Sequence, residues 1–309
     1  MPSVAICALT FHRPRGLGRL LDGLAALQFE DDAHRPDLRI VIVDNDPEGS
    51  ARPVVEGRLD QIGAPVTYVI EPRRGIPLAR NRAVAEAGAA EFAAFIDDDE
   101  VPEPRWLDEL LRVQRVTGAD VVTGPVVAEF EDTPPKWVLR GSFYDRRRFR
   151  TGESVGAATT SSVLIARPVL EAHRPPFNEA MRFTGGSDTH FFLRAKQDGF
   201  SIVWADDAVV YETIPLSRTT ARWILARQYR RGVTFSYCLR ELNDSPRRRA
   251  KRIGHAGVSV VRGVGMSVLA LVRGRRALVA GLQRVCYGAG MVAGLFGVSY
   301  EEYRTHHGG

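Results

Sequence analysis

Short apolar runs recur along the first hundred residues, each closed by polar or turn-forming residues. Residues 4–9, 38–43, 66–70 and 92–96 are almost wholly apolar and rich in β-formers, the pattern of strands buried on both faces of a parallel sheet. After the first run, Leu17, Leu20, Leu21 and Leu24 fall at helical spacing and predict an amphipathic helix. Strand, helix and strand make a βαβ unit, right-handed by default. A further helix is predicted over 77–90, just before the fourth run. Downstream, residues 120–127 predict a strand broken by Gly124-Pro125, and 161–166, 200–204 and 208–212 predict three more. Residues 130–155 are polar, basic and aromatic, which predicts a long loop that suits a lid or an acceptor-side segment and equally a variable surface insertion. The alternation makes the fold class α/β, with a mostly parallel central sheet flanked by helices.

The fourth run ends abruptly in Asp97-Asp98-Asp99-Glu100. A buried strand delivering acids to the carboxyl edge of a sheet places them where open α/β folds bind ligands. In an extended backbone Asp97 and Asp99 point to the same side, roughly 6.6 Å apart at Cα, with Asp98 opposite. Two like charges that close repel unless a cation joins them or one is protonated. Mg²⁺ or Mn²⁺ suits such an oxygen pair, because these ions are held by one or two carboxylates plus substrate phosphates. A solvated acidic turn is the plainer reading of the same residues.

Composition adds boundaries. The chain has 309 residues, enough for a full core plus an appendage, with 44% hydrophobic and 26% charged residues. Its three cysteines, Cys7, Cys238 and Cys286, are too far apart for a zinc pattern or a disulfide framework, which fits a reducing cytosol. A formal charge of +5 points to anionic partners without choosing among them. No dinucleotide fingerprint follows the first strand and no P-loop occurs. Nucleic-acid binding rests on arginine runs alone and is not expected. No signal peptide is expected either.

Four segments in order, 4–10 with Arg13-Pro14, 40–46, Gly75-Ile76-Pro77-Leu78-Ala79-Arg80-Asn81, and 95–102, resemble the nucleotide-binding half of family-2 glycosyltransferases of GT-A fold. The resemblance implies a metal-dependent, inverting transfer from a nucleotide-diphosphate sugar, in the first instance a UDP-sugar. It also implies roles: Thr10, Arg13, Asp44, Arg80, Asp97 and Asp98 around the nucleotide-sugar, and Asp97 and Asp99 on the metal that clamps the diphosphate. In Gly185-Gly186-Ser187-Asp188-Thr189-His190-Phe191, the family's Gly-Glu-Asp pattern carries Ser187 in place of Glu and keeps Asp188 as the catalytic base. From the residues alone, Ser187 is an N-cap and Asp188 a first-turn acid. Many GT-A enzymes place a third metal ligand, often His, near residue 212; here the residue is Glu212. A predicted helix over 219–240 presents Arg227 with Arg230 and Arg231 on one face, suited to phosphate on the acceptor side.

Residue 245 is the expected boundary between a catalytic unit (1–245) and a basic helical extension (246–309). Pro246-Arg247-Arg248-Arg249-Ala250-Lys251-Arg252 opens two apolar segments, 253–272 and 277–298, interrupted by Arg262 and by Gln283-Arg284. Charges so placed oppose spanning a bilayer. Amphipathic helices lying on the anionic inner face of the plasma membrane are expected instead. A transmembrane hairpin and a bundle packed on the catalytic unit remain open. The chain as a whole reads as a cytoplasmic, peripherally membrane-bound glycosyltransferase with a lipid-linked saccharide acceptor, in exopolysaccharide or envelope-glycan synthesis. A non-catalytic nucleotide-binding or membrane-scaffolding module on the same fold is the other reading.

Overall fold

The computed structural model describes residues 1–31, 34–242, 245–268 and 270–298; the end of the expected extension, 299–309, lies outside the described residues. In chain order the elements are β1 (Ser3–Thr10), α1 (Pro14–Ala25), β2 (Asp37–Asp44), α2 (Arg52–Glu56), β3 (Val66–Ile70), α3 (Ile76–Ala87), β4 (Phe92–Asp97), β5 (Glu100–Pro102), α4 (Trp106–Thr117) and β6 (Val121–Thr123). There follow β7 (Val126–Phe130), α5 (Lys136–Leu139), β8 (Ser162–Ala166), α6 (Arg167–Glu171), α7 (Ser187–Gln197), β9 (Ile202–Trp204), β10 (Val210–Ile214), α8 (Ala221–Leu242), α9 (Pro246–Val268) and α10 (Ala270–Leu295).

Seven strands form the main sheet in the order β3-β2-β1-β4-β8-β6-β9, and β5-β10-β7 form a small second sheet. β1, β2, β3 and β4 run parallel, as their apolar runs require, while β8 enters antiparallel to both β4 and β6. The side chains of β4 alternate between two cores. Ala94 and Ile96 join Leu17, Leu20, Leu21 and Trp106 on one face, and Ala93 and Phe95 join Ala83, Phe177, Phe191 and Phe192 on the other. Each fully buried leucine of α1 contributes about 1.5–3 kcal/mol.

Gly124-Pro125 does more than break a strand: it sends β6 into the main sheet and β7 into the small one. A Cβ at Gly124 would lie 2.2 Å from the Ala208 carbonyl oxygen, so only glycine lets the two segments cross.

α8, α9 and α10 lie side by side, α10 packing on both of the others. The boundary expected at residue 245 falls in the α8–α9 connection, so helices from both sides of it share one bundle. α10 breaks at Gly274, whose φ is 70°.

Candidate active site

The parallel register brings the strand ends together. Thr10 pairs with Asp44 across β1 and β2, and Leu9 pairs with Asp97 across β1 and β4. The same-side geometry expected for Asp97 and Asp99 is corrected by the chain path: β4 stops at Asp97, the backbone turns through Asp98 and Asp99, and β5 begins at Glu100. A turn does not alternate its side chains as a strand does. Asp98 and Asp99 meet instead, their Oδ1 and Oδ2 each accepting from Arg13 Nη1 at 2.9 Å. α1 starts directly over this turn, close enough that a Cβ on Gly16 would lie 2.5 Å from the Asp98 carbonyl oxygen.

Asp97 turns elsewhere. Its Oδ2 accepts from Ser161 Oγ at 3.0 Å, and its backbone N–H donates to Glu100 Oε2 at 3.0 Å. Burial among the strand ends pushes its pKa up to about 7; Arg80 pulls it down, and Asp99 and Asp98 push it up further. Burial also raises Asp98 to about 6, against the pull of Arg13. Glu100, 1% exposed, is raised well above the ordinary range by burial and then by Asp97 and Glu212. The site thus gathers more negative charge than it can hold alone.

Asp44, which the resemblance puts beside the nucleotide, is wholly buried and accepts from the backbone N–H groups of Asp46 (3.0 Å) and Ala51 (2.9 Å) and from Tyr68 Oη (2.7 Å). Those bonds make it the organiser of the 44–51 turn, with no surface of its own toward a ligand. Asn45 does a similar job across the cleft wall, donating to the carbonyls of Glu71 (2.8 Å) and Arg73 (3.0 Å) and accepting from Gly75 N–H (2.8 Å). That last bond fixes the entry to α3. Thr10 is 3% exposed at the end of β1.

α3 carries Arg80 inward. The residue is 7% exposed, and its guanidinium lies 5.6 Å from the centre of the Phe177 ring and donates from Nη1 to Ser187 Oγ at 2.7 Å. Arg80 Nε has no hydrogen-bond partner among the described residues. Ser187 is therefore not the N-cap of α7; Gly186 holds that position at φ 79°, packed so closely on α8 that a Cβ would clash with Thr234. Asp188 follows in the first turn, partly exposed, its Oδ1 accepting from Thr189 N–H at 2.7 Å. Through Arg80, the acid end of β4 and the start of α7 share one wall.

The small sheet delivers the fifth carboxylate. Glu212 on β10 is paired in register with Glu100, and its Oε2 accepts from Arg146 at 2.6 Å. A short 3₁₀ turn, Leu216–Thr219, then places Arg218 Nη1 between Asp99 Oδ2 (3.5 Å) and Glu212 Oε1 (3.9 Å). The two hard oxygen donors suit a divalent cation in charge. At 3.5 and 3.9 Å from the guanidinium nitrogen, they stand wider than a Mg²⁺–oxygen bond of about 2.1 Å and would have to draw closer to share one ion. Asp99 and Glu212 are the donors that would share such an ion, while Asp97 already accepts from Ser161 through Oδ2. Among the described residues no cluster of three or more His, Cys, Asp or Glu side chains is set to hold a metal.

Arg227 on α8 stacks against Trp223 (5.2 Å to the ring centre) and Tyr144 (5.9 Å). Burial lowers its pKa to about 10, and the charge of Glu212 opposes that. Arg230 is half-buried and Arg231 exposed. The long loop over 130–155 closes on the same region: Tyr144 Oη donates to the Arg218 carbonyl at 2.5 Å, and Arg148 pairs with Asp206 at 2.8 Å. Ser161, Arg146 and Arg218 were not singled out from the sequence as site residues. Arg146 stood in a conspicuous arginine triplet, but nothing in one sequence says which carboxylate such a residue meets.

Comparison with known proteins places the chain by family and fold. Residues 4–174 match the model of glycosyl transferase family 2. The succinoglycan biosynthesis protein ExoM of Rhizobium meliloti is 32% identical over 301 residues, spanning 97% of this chain and 94% of its own length. Among solved structures, the mannosyltransferase PcManGT from Pyrobaculum calidifontis, in complex with GDP-Man and Mn²⁺, covers 96% of this chain and 87% of its own with a TM-score of 0.65 at 17% identity. S. aureus TarS in complex with UDP-GlcNAc covers 94% and 91% with a TM-score of 0.51 at 14% identity. The fold is GT-A, and the chain belongs to glycosyl transferase family 2: it is a glycosyltransferase.

Proposed function

We propose that this enzyme moves a sugar from a nucleotide-diphosphate donor, a UDP-sugar in the first instance, to a lipid-linked saccharide during exopolysaccharide or envelope-glycan assembly at the inner face of the plasma membrane. The observation that carries the reading is the meeting of Asp98, Asp99 and Glu212 around Arg13 and Arg218, on the wall that Arg80 and Ser187 share with Asp188. The acceptor class is supported by a relative named for succinoglycan biosynthesis that matches nearly the whole chain.

Asp99 and Glu212 would hold Mg²⁺ or Mn²⁺, with phosphate or water completing the shell; when bound, the ion neutralises charge on the departing diphosphate. Arg13 keeps Asp98 and Asp99 together and limits their repulsion. Arg80, whose Nε has no partner among the described residues, offers that N–H to the donor's anionic groups. Asp188, whose Oδ1 accepts from Thr189 N–H, takes the proton as the acceptor hydroxyl attacks the anomeric carbon opposite the departing diphosphate. The new glycosidic bond forms as the anomeric C–O bond to the diphosphate breaks, so the configuration inverts. Arg227, Arg230 and Arg231 line the acceptor side and suit its phosphates. Residues 1–245 supply the donor and catalytic groups, and 246–298 the membrane contact.

The test is transfer by the purified protein from a panel of UDP- and GDP-sugars to a membrane extract, with Mn²⁺ or with EDTA. Metal-dependent transfer with inverted anomeric configuration, lost in Asp188→Asn while donor still binds, supports the reading. Retained configuration, or full activity in Asp188→Asn, removes Asp188 as the base.

A further inference from the structure

The C-terminal bundle is packed inside out by the standards of a water-soluble helix bundle. Its helices touch through glycine. A Cβ on Gly263 would lie 2.7 Å from the Gly281 carbonyl oxygen, one on Gly288 2.7 Å from that of Ala256, and one on Gly232 2.2 Å from that of Tyr287. The large apolar side chains of α9 point the other way. Ile253, Val258, Val261, Val264 and Val268 are 51–72% exposed. At about 100° per residue they fall within an arc of roughly 140°, so they form one continuous face. Water-soluble helices bury such a face, whereas helices packed in lipid meet through small residues and leave the large ones outside.

Charge identifies the lipid. Arg247, Arg248, Lys251 and Arg262 are all exposed on α9, Lys251 and Arg262 project at the edge of the apolar arc, and the helix has no Asp or Glu. Both ends carry cations: beyond α9, Arg276 donates to the Arg140 carbonyl at 2.9 Å and Arg275 covers the Trp137 ring at 4.8 Å. Cations at both ends and in the middle oppose a spanning helix and suit one lying along an anionic surface. The segment Gly274–Leu295 of α10 is long and apolar enough to cross a membrane, but its glycine ridges are used against α8 and α9.

We infer that the outer face of α9 is the bilayer-docking surface, lying in the plane of an anionic membrane, with α10 as the internal spacer between it and α8. This deepens the membrane-acceptor reading but is independent of the sugar chemistry, because it is tested without donor or acceptor. Arg275 and Arg276, just past the break at Gly274, anchor α10 at α5, in the loop whose Tyr144 holds Arg218, so docking would hold the acceptor side of the site toward the membrane.

The experiment is flotation of the full-length protein with phosphatidylcholine vesicles and with vesicles containing phosphatidylglycerol, at low and high salt. Wild type should float with the anionic vesicles and lose that preference at high salt. The double variant Val261→Asp/Val264→Asp should reduce flotation about tenfold or more, with unchanged circular dichroism and melting temperature. Lys251→Glu/Arg262→Glu should abolish the preference for anionic lipid. Wild-type protein that stays with neither vesicle, or valine variants that float as wild type does, would overturn the inference. So would a dimer that the valine variants split while vesicle binding is unchanged, since that would make the face a contact between copies.

Discussion

The strand-edge half and the C-terminal bundle follow opposite packing rules. Around the sheet, large residues such as Leu17, Leu21, Phe95 and Trp106 are wholly buried, and polar groups collect at one edge, tied to one another. In the bundle, backbone meets backbone at glycine and the valines of α9 face outward. Apolar residues alone therefore do not define an interior; their size and direction separate the two regions. The first region holds repelling acids rigidly together, and the second leaves an apolar, cation-flanked face exposed, which is the basis of the proposed membrane contact.

The contrast can be broken in several places. The largest effect is expected at the acids: Asp99→Asn should lower turnover about 10²–10³-fold with the fold intact, read by initial rates and circular dichroism. Next come the two cores. Leu21→Ala should cost about 2–5 kcal/mol in urea unfolding, whereas Val261→Ala, at the same kind of helical position, should stay within about 0.5 kcal/mol. A large cost at Val261 in the absence of lipid would mean that its face is covered in solution.

A third test is electrostatic. His190 is 5% exposed, and burial, then Arg194 and His173, lower its pKa to about 4. The unfolded chain binds the proton first as pH falls through 6.5, so this contribution to stability is present above pH 6.5 and is lost toward pH 4. It is worth up to about 3 kcal/mol, and His190→Asn should flatten that part of the stability–pH curve. The smallest effect concerns Arg218, which already lies between Asp99 and Glu212. Arg218→Gln should tighten Mn²⁺ binding a few-fold in the nucleotide-free protein, measured by electron paramagnetic resonance; weaker binding would make Arg218 a support of the site rather than a competitor of the ion.

Much of the sheet was legible because strands buried on both faces must be apolar throughout, and β1 to β4 lie within two residues of the runs that announced them. The acids were legible by position, at the end of the fourth run, whereas Asp188, in the first turn of α7, was singled out by the family pattern alone. β5 was not, because its three residues gain their strand character from pairing with β10, more than a hundred residues away. α4 was overlooked although Leu107, Leu110 and Leu111 carry the helical spacing that marks it. Asp44 was ambiguous for a physical reason: an acid after a strand serves equally as a ligand contact or as a turn organiser, and its bonds to Ala51 and Tyr68, which support the second role, are made only on folding. Arg146 and Arg218 were hidden among many arginines, whose partners are set by folding rather than by neighbours in the chain.

The central claim is that Asp99 links the protein to a diphosphate through a divalent ion, and titration calorimetry with UDP and GDP, in Mn²⁺ and in EDTA, tests it most directly. At least one nucleotide should bind the wild type about tenfold or more tightly with Mn²⁺, and Asp99→Asn should abolish that difference while keeping the metal-free affinity. A variant that retains the full Mn²⁺ enhancement would contradict the claim.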